Sequence, residues 1–310
     1  MTNFENHPLH PGEGTVLFIS GGPIKETAQV EPFMTLEDPL AWPALTFGGF
    51  TLPGWSGNAK PGQQDFVYYP ERRMAGNCRG LPNEGVEGIL KLKHTFRMLS
   101  DMGVRTILQV TNLPHETPMD VIPRLVSIAA SVNPTAIEVN LSCPNGKKED
   151  GSFHPPLANN AEVSAEVMSA ARQEVGAEIC LGAKDSPHVT SLEDEVNEAE
   201  VGDLAISLRG IVDFLTGINT IGNQPFPELE CAGGRGGMSG PVVAEIAKQH
   251  LRLWQKHVPE IPYLSCGGVD SNNASTEIPE RRGIGAMLVG GAQEFYRASQ
   301  PHLLAERWLQ

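Results

Sequence analysis

Short apolar, β-branched runs recur along the chain, and several are separated by stretches with the period of an amphipathic helix. Eight of them predict strands: TVLFIS (15–20), ALTFGGFTL (44–52), RTILQV (105–110), AIEVNLS (136–142), EICLGAK (178–184), VDFLTGINT (212–220), IPYLSC (261–266) and GAMLVGG (285–291). Helical patterns cover 81–103, 118–132, 160–176 and 240–258. In the first, Val86, Ile89, Leu90 and Leu99 lie near one face, and Gly103 stands where a C-cap is expected. Asn160 is placed to cap the third, and Pro241 takes an early position in the fourth. Strands alternating with helices imply parallel pairing through right-handed crossovers. Eight such units over about 250 residues fit a single α/β domain, a closed (β/α)8 TIM barrel. A doubly wound open sheet is the rival arrangement. No repeat or linker divides residues 1–310; residues 1–14 form a polar extension, and Gly54–Gly80 a long Gly- and Pro-rich loop of the kind that carries function.

Composition narrows the possible partners. The net charge is −14 with no cluster of Lys and Arg, which weighs against nucleic acid or an anionic membrane surface. No apolar run approaches the ~20 residues that span a bilayer, and the polar start has no signal-peptide core. A soluble, cytoplasmic protein is expected. The five cysteines contain no C-x-x-C pair and no zinc or iron–sulfur spacing, and a disulfide framework is not expected.

In a barrel of this type the chemistry sits at the C-terminal strand ends. Those ends carry ISGG (19–22), VTN (110–112), VNLSCPN (139–145), GAK (182–184), INTIGN (218–223), CGGV (266–269) and VGGA (289–292). A further loop, GGRGGMSGP (233–241), opens a helix. Its Gly240, with Gly267, Gly268, Gly290 and Gly291, suits a phosphate site, because glycine lets backbone N–H groups close around an anion. Each pair taken singly equally suits a tight turn. Lys184 ends a strand, where it either neutralises an anion on a bound cofactor or is a solvated surface lysine. The amides Asn77, Asn112, Asn140, Asn145 and Asn219 offer donor and acceptor without charge, as a planar ring with carbonyl and N–H edges requires. Cys143 is either a small buried hydrophobe or a reactive thiol.

The ordered set VNLSCPN, INTIG, GGMSGP, CGGV and AMLVGG, with FTLPGWSGN (50–58) and GNCRGLPNEG (76–85), resembles the dihydroorotate dehydrogenases of the soluble class 1 branch. The resemblance runs from about Val16 to Tyr296. It implies an FMN-containing barrel that oxidises dihydroorotate to orotate in pyrimidine biosynthesis. Cys143 falls at the position of the general base, which takes the C5 proton while hydride passes from C6 to flavin N5. A thiol with a reference pKa of about 8.5 suits that task. The same resemblance implies Asn77, Asn140, Asn145 and Asn219 on the pyrimidine edges, with Thr220 and the backbone of Gly80 and Leu81 beside them. It puts Lys184 near the flavin N1/O2 edge, Ser20, Gly21, Asn112 and Asn140 along the flavin, and Gly240, Gly267, Gly268, Gly290 and Gly291 at its phosphate. Residues 146–156 would form an active-site lid, with His154 a solvated loop residue. A homodimer is implied, and the electron acceptor would be fumarate or a separate iron–sulfur subunit that feeds NAD.

Two positions depart from the family pattern. The family's second-strand lysine falls on Gly48, and Arg79 stands where an apolar residue is usual. Arg79 is therefore expected to face the substrate anion. These departures keep open a related FMN oxidoreductase for another dihydropyrimidine or an enoyl-type C–C bond, and a flavin-binding relative without turnover.

Overall fold

A computed structural model describes residues 4–35, 38, 42–144, 155–295 and 308. The run ALTFGGF is buried at every position, as expected of a strand covered on both faces. In chain order the strands are β1 (Leu17–Ile24), β2 (Ala44–Phe50), β3 (Phe66–Tyr69), β4 (Met74–Asn77), β5 (Thr106–Val110) and β6 (Ala136–Asn140). They continue as β7 (Cys180–Lys184), β8 (Phe214–Gly217), β9 (Ile221–Pro225), β10 (Arg235–Ser239), β11 (Tyr263–Cys266) and β12 (Ala286–Gly291). Eight of them close a parallel barrel in the order β1-β12-β11-β8-β7-β6-β5-β2. Closure is made by β1 on β12, with Leu17 beside Val289 and Ile19 beside Gly291. Each of the eight runs singled out in the sequence supplies one barrel strand, so the fold is the (β/α)8 barrel rather than the open sheet.

The helices are α1 (Val86–Lys91), α2 (Lys93–Asp101), α3 (Pro118–Ala130), α4 (Ala161–Val175), α5 (Glu198–Leu208), α6 (Ala244–His257) and α7 (Ala274–Ile284). The pattern over 81–103 yields two helices, because the chain tightens at Leu92, whose N–H bonds to the Ile89 carbonyl. Asn160 caps α4 by accepting from the Val163 N–H at 3.1 Å. Two helices have no counterpart among the sequence expectations. Acidic residues flank the apolar positions of α5, and α7 contains Pro279 and buries an ion pair, Glu277 with Arg281, where a periodic helix would bury apolar side chains. No helix among the described residues is long and apolar enough to cross a membrane.

The stretch expected as one long loop, Gly54–Gly80, instead contains β3 and β4. Four residues each, FVYY and MAGN, are too short to show an alternating pattern. They join β9 and β10 in a second, antiparallel sheet of order β3-β4-β10-β9. That sheet sets Gly237 beside Asn77 and brings Cys78 to Cys231, and these two cysteines form a disulfide. The cysteine spacing gave no hint of it, since 153 residues separate the pair. At the opposite end, the N-terminal extension is not merely polar tail. Leu9 is fully buried, and Arg105 donates to the Leu9 and Thr15 carbonyls, so this segment closes the barrel floor.

Candidate active site

The C-terminal strand ends and the second sheet enclose a cavity of 1160 Å³, counting the solvent at its mouth. Ser20, Gly21 and Lys25 enter from the end of β1, Gly49 from β2, Gln109 from β5, and Asn140 and Cys143 from the end of β6. Lys184 ends β7, Asn219 and Thr220 follow β8, and Cys266, Gly267 and Gly268 stand at the end of β11. Gly291 and Gln293 close the ring from β12, Gly240 follows β10, and Asn77, Arg79, Gly80 and Leu81 descend from the second sheet.

Each polar group is aimed by another. The Lys184 ammonium is buried and donates to Ser20 Oγ at 2.9 Å, which in turn faces Cys266 Sγ at 3.6 Å. Burial raises the pKa of the Cys266 thiol, with Lys184 and Ser20 pulling the other way. Asn140 Oδ1 accepts from the Ser142 N–H and hydroxyl, both at 3.1 Å, and from Asn219 Nδ2 at 3.4 Å. Asn219 Nδ2 also reaches the Ser142 carbonyl at 2.9 Å, and its oxygen accepts the Thr220 N–H at 2.8 Å. The two amides therefore hold one another across the barrel mouth. Cys143 is half-buried at this mouth with its thiol free of any disulfide. Arg79 Nε lies 3.5 Å from Asp65, with its guanidinium 5.7 Å from the Phe66 ring centroid.

Opposite these groups lies a cradle of backbone. Gly240, Gly267 and Gly268 have φ of 103°, 93° and 85°, the left-handed region that glycine alone adopts freely. A Cβ on Gly268 would strike the Ala244 backbone at the start of α6, so glycine also permits the close approach of that helix. Two buried polar atoms on the cavity wall, Thr220 Oγ1 and Gln293 Nε2, have no hydrogen-bond partner among the described residues. Unsatisfied buried groups are costly, and a bound ligand supplies what they lack. A glycine cradle at a helix start, paired amides and a buried ammonium fit a planar, phosphate-bearing flavin.

Most of the residues singled out in the sequence meet at this cavity. Asn112 lies instead in an adjoining cavity with Trp55 and His115, its Nδ2 donating to the Leu113 carbonyl at 2.9 Å. Gly290 sits in the barrel wall, where a Cβ would overlap the Phe18 carbonyl oxygen. Asn145 and the segment 146–154 of the expected lid, His154 included, fall outside the described residues. Gln109 and Lys25 are among the lining residues that were not anticipated. Gln109 is inside a strand, bonded to the buried Glu138. Lys25 was passed over because the apolar run that marks the first strand stops at Ser20, whereas β1 continues to Ile24. Lys25 donates to the Pro82 carbonyl. Burial chiefly, and then the like charge of Arg79, lower its pKa to about 8, with Cys143 opposing them.

A closed parallel barrel with a glycine cradle at its C-terminal mouth and a cation-lined cavity there defines an enzyme of the (β/α)8 class. The dihydroorotate dehydrogenase family model matches residues 15–298, and the chain belongs to that family, which is flavin-dependent. It is 29% identical over 219 residues to the catalytic subunit of a dihydroorotate dehydrogenase B (NAD(+)) from Streptococcus pneumoniae, covering 70% of this chain and 65% of the relative. It is 26% identical over 252 residues to a dihydroorotate dehydrogenase A (fumarate) from Lacticaseibacillus paracasei, covering 79% of each. A dihydroorotate dehydrogenase B (NAD(+)) catalytic subunit from Anoxybacillus flavithermus is 30% identical over 236 residues, covering 74% of this chain and 68% of the relative. The match thus spans just under two thirds of the first of these relatives.

Proposed function

We propose that the protein is an FMN-dependent oxidoreductase acting on a CH–CH group, which oxidises dihydroorotate to orotate in pyrimidine biosynthesis. One observation carries this reading: the Cys143 thiol, the paired amides and three cations face one cavity whose other side is a glycine cradle. FMN, when bound, supplies the acceptor for the hydride that leaves C6. Gly240, Gly267, Gly268 and Gly291 would hold its phosphate, with Ser20, Gly21 and Lys184 along its ring. Cys143 as thiolate removes the C5 proton, and the electron pair of that C–H bond becomes the C5=C6 double bond of orotate. Asn77, Asn140 and Asn219 fix the ring edges, so that C5 stays in line with the sulfur. Lys25 and Arg79 supply positive charge for the substrate carboxylate. Re-oxidation falls to fumarate or to a separate electron-transfer subunit, as the names of the two kinds of relative suggest. The same reading makes the protein a cytoplasmic homodimer.

The test is an anaerobic titration of the purified yellow protein with dihydroorotate. Bleaching of the flavin absorbance is expected. An ordinary flavin spectrum that dihydroorotate leaves unchanged removes this substrate, and bleaching by a neutral dihydropyrimidine instead would reassign it.

A further inference from the structure

We propose that Lys25 is the specificity-determining cation of this site: reaching in from the end of β1, it replaces the charge that β2 lacks, engages the substrate carboxylate and favours the thiolate of Cys143. The proposal rests on the functional reading above and deepens it.

The second strand has no room to supply that charge. Gly48 has φ of 118°, and a Cβ there would overlap the Gln109 carbonyl oxygen. A Cβ on Gly49 would lie 3.0 Å from Gln109 Oε1. A side chain at Gly48 would displace the β5 backbone, and one at Gly49 would have to push aside the Gln109 side chain. The neighbouring strand provides the alternative. Ile24 pairs with Phe47, so the residues that follow on the two strands are Lys25 and Gly48. The cation has moved one strand across while keeping its level at the mouth.

Lys25 is also held there. Its ammonium donates to the Pro82 carbonyl, in the same loop that carries Asn77 and Arg79. It interacts electrostatically with both Arg79 and Cys143, and the lowered pKa follows from burial and from Arg79. Two like charges drawn together in a partly dry cavity are stable only with a counter-charge. Among the described residues the ionisable groups lining the cavity are Lys25, Arg79, Lys184, Cys143 and Cys266; the one carboxylate paired with them, Asp65 on Arg79, stands behind the lining and leaves the cations in excess. In a chain of net charge −14 this is a selected local excess, and an anion is what completes it. Substrate carboxylate satisfies it during binding, and in the free enzyme the same excess favours the thiolate form of Cys143.

The experiment uses holoprotein with Lys25→Met and Lys25→Arg. Orotate and uracil, which differ by the carboxylate, are titrated against the flavin absorbance. Lys25→Met should weaken orotate roughly tenfold to a hundredfold while leaving uracil within about twofold, and Lys25→Arg should restore the preference for orotate. Separately, alkylation of Cys143 by iodoacetamide is followed against pH by mass spectrometry without substrate. In Lys25→Met the alkylation rate at neutral pH should fall about tenfold, with the profile displaced to higher pH. A Lys25→Met protein that melts with wild-type and keeps the wild-type orotate-to-uracil preference overturns the proposal. So does an unchanged alkylation profile. Should dihydroorotate fail to reduce the wild-type flavin, the function is wrong, yet the alkylation profile still decides whether Lys25 governs the thiol.

Discussion

Asp185 follows Lys184 directly and has no exposed surface, yet it remains ionised. Burial pushes its pKa up, and the charge and hydrogen bonds of His188 and His250 reverse that and hold it far below the carboxylate range. His188 Nε2 donates to one carboxylate oxygen and His250 Nε2 to the other, both at 2.9 Å. The second nitrogen of His250 meets the Tyr263 hydroxyl at 2.8 Å, and that of His188 meets Glu200 at 2.9 Å. The Asp185 carbonyl receives the Asn219 N–H, so this buried network braces the segment that presents both Lys184 and Asn219. For His188, burial lowers the pKa, and Asp185 and Glu200 more than offset it, raising it to about 9. A histidine whose folded pKa lies above its unfolded 6.5 stabilises fully below pH 6.5 and loses that contribution as pH climbs through 9. Urea unfolding should therefore weaken by roughly 2 kcal/mol across that interval, and His188→Gln should flatten the decline. A wild-type slope retained in the variant would locate the titration elsewhere. Cys143 gives the second prediction at this scale. Cys143→Ser should keep its colour but slow flavin reduction by dihydroorotate roughly 10²- to 10⁴-fold in stopped-flow absorbance. Reduction at the wild-type rate would show that the sulfur is not the base.

Among the elements, what could be read from the chain divides by the physics of each segment. The barrel strands were legible because burial on both faces writes a short, mostly apolar run, as in TILQV and AIEVN, whose buried Gln109 and Glu138 bond to each other. Cys143, Lys184 and Asn140 were legible because each closes or follows such a run, where a barrel places its chemistry. Two sorts of element escaped. β3, β4, β9 and β10 are four or five residues long, and the pairs β3–β4 and β9–β10 become one sheet only where β4 meets β10 far away in sequence, which no local pattern records. Helix α7 conceals its buried side in charge: Arg281 donates to Glu277 at 2.8 Å, to Ser265 Oγ at 3.1 Å and to the Gly267 carbonyl at 2.8 Å. That last bond ties a helix with little amphipathic signal to the glycine cradle, so the concealed element helps to brace it. Lys25 escaped for a related reason. The Gly-Gly-Pro-Ile end of β1, residues 21–24, is strand by pairing with β2 rather than by composition.

Across the whole molecule, one half of the site is rigid by construction and the other is tethered. Gly267, Gly268, Lys184 and the paired amides belong to the closed barrel, whose strands leave no free edge, while Gly240 follows β10 of the second sheet. Asn77, Arg79, Gly80 and Leu81 hang from a four-stranded sheet assembled from segments at 66–77 and 221–239. The Cys78–Cys231 disulfide fastens the residue next to Asn77 to the turn that begins at Glu230. Constraining two segments 153 residues apart removes freedom from the unfolded chain and is worth about 2–4 kcal/mol. Its second effect is local, because the loop it pins carries Arg79 and the Pro82 carbonyl that holds Lys25. Replacing Cys231 with Ser should lower thermal stability and weaken orotate several-fold, as the substrate loop must then be ordered on binding. Flavin content after dialysis should stay close to the wild-type level, since Gly267, Gly268 and Gly291 stand at the ends of barrel strands that do not depend on the disulfide and Gly240 alone follows β10. Loss of flavin along with orotate would mean that the second sheet supports the cradle as well. Unchanged orotate affinity in a less stable protein would confine the disulfide to stability and leave the anchoring of the loop to the pairing of β4 with β3 and β10 and to its bonds with Asn58 and Lys25.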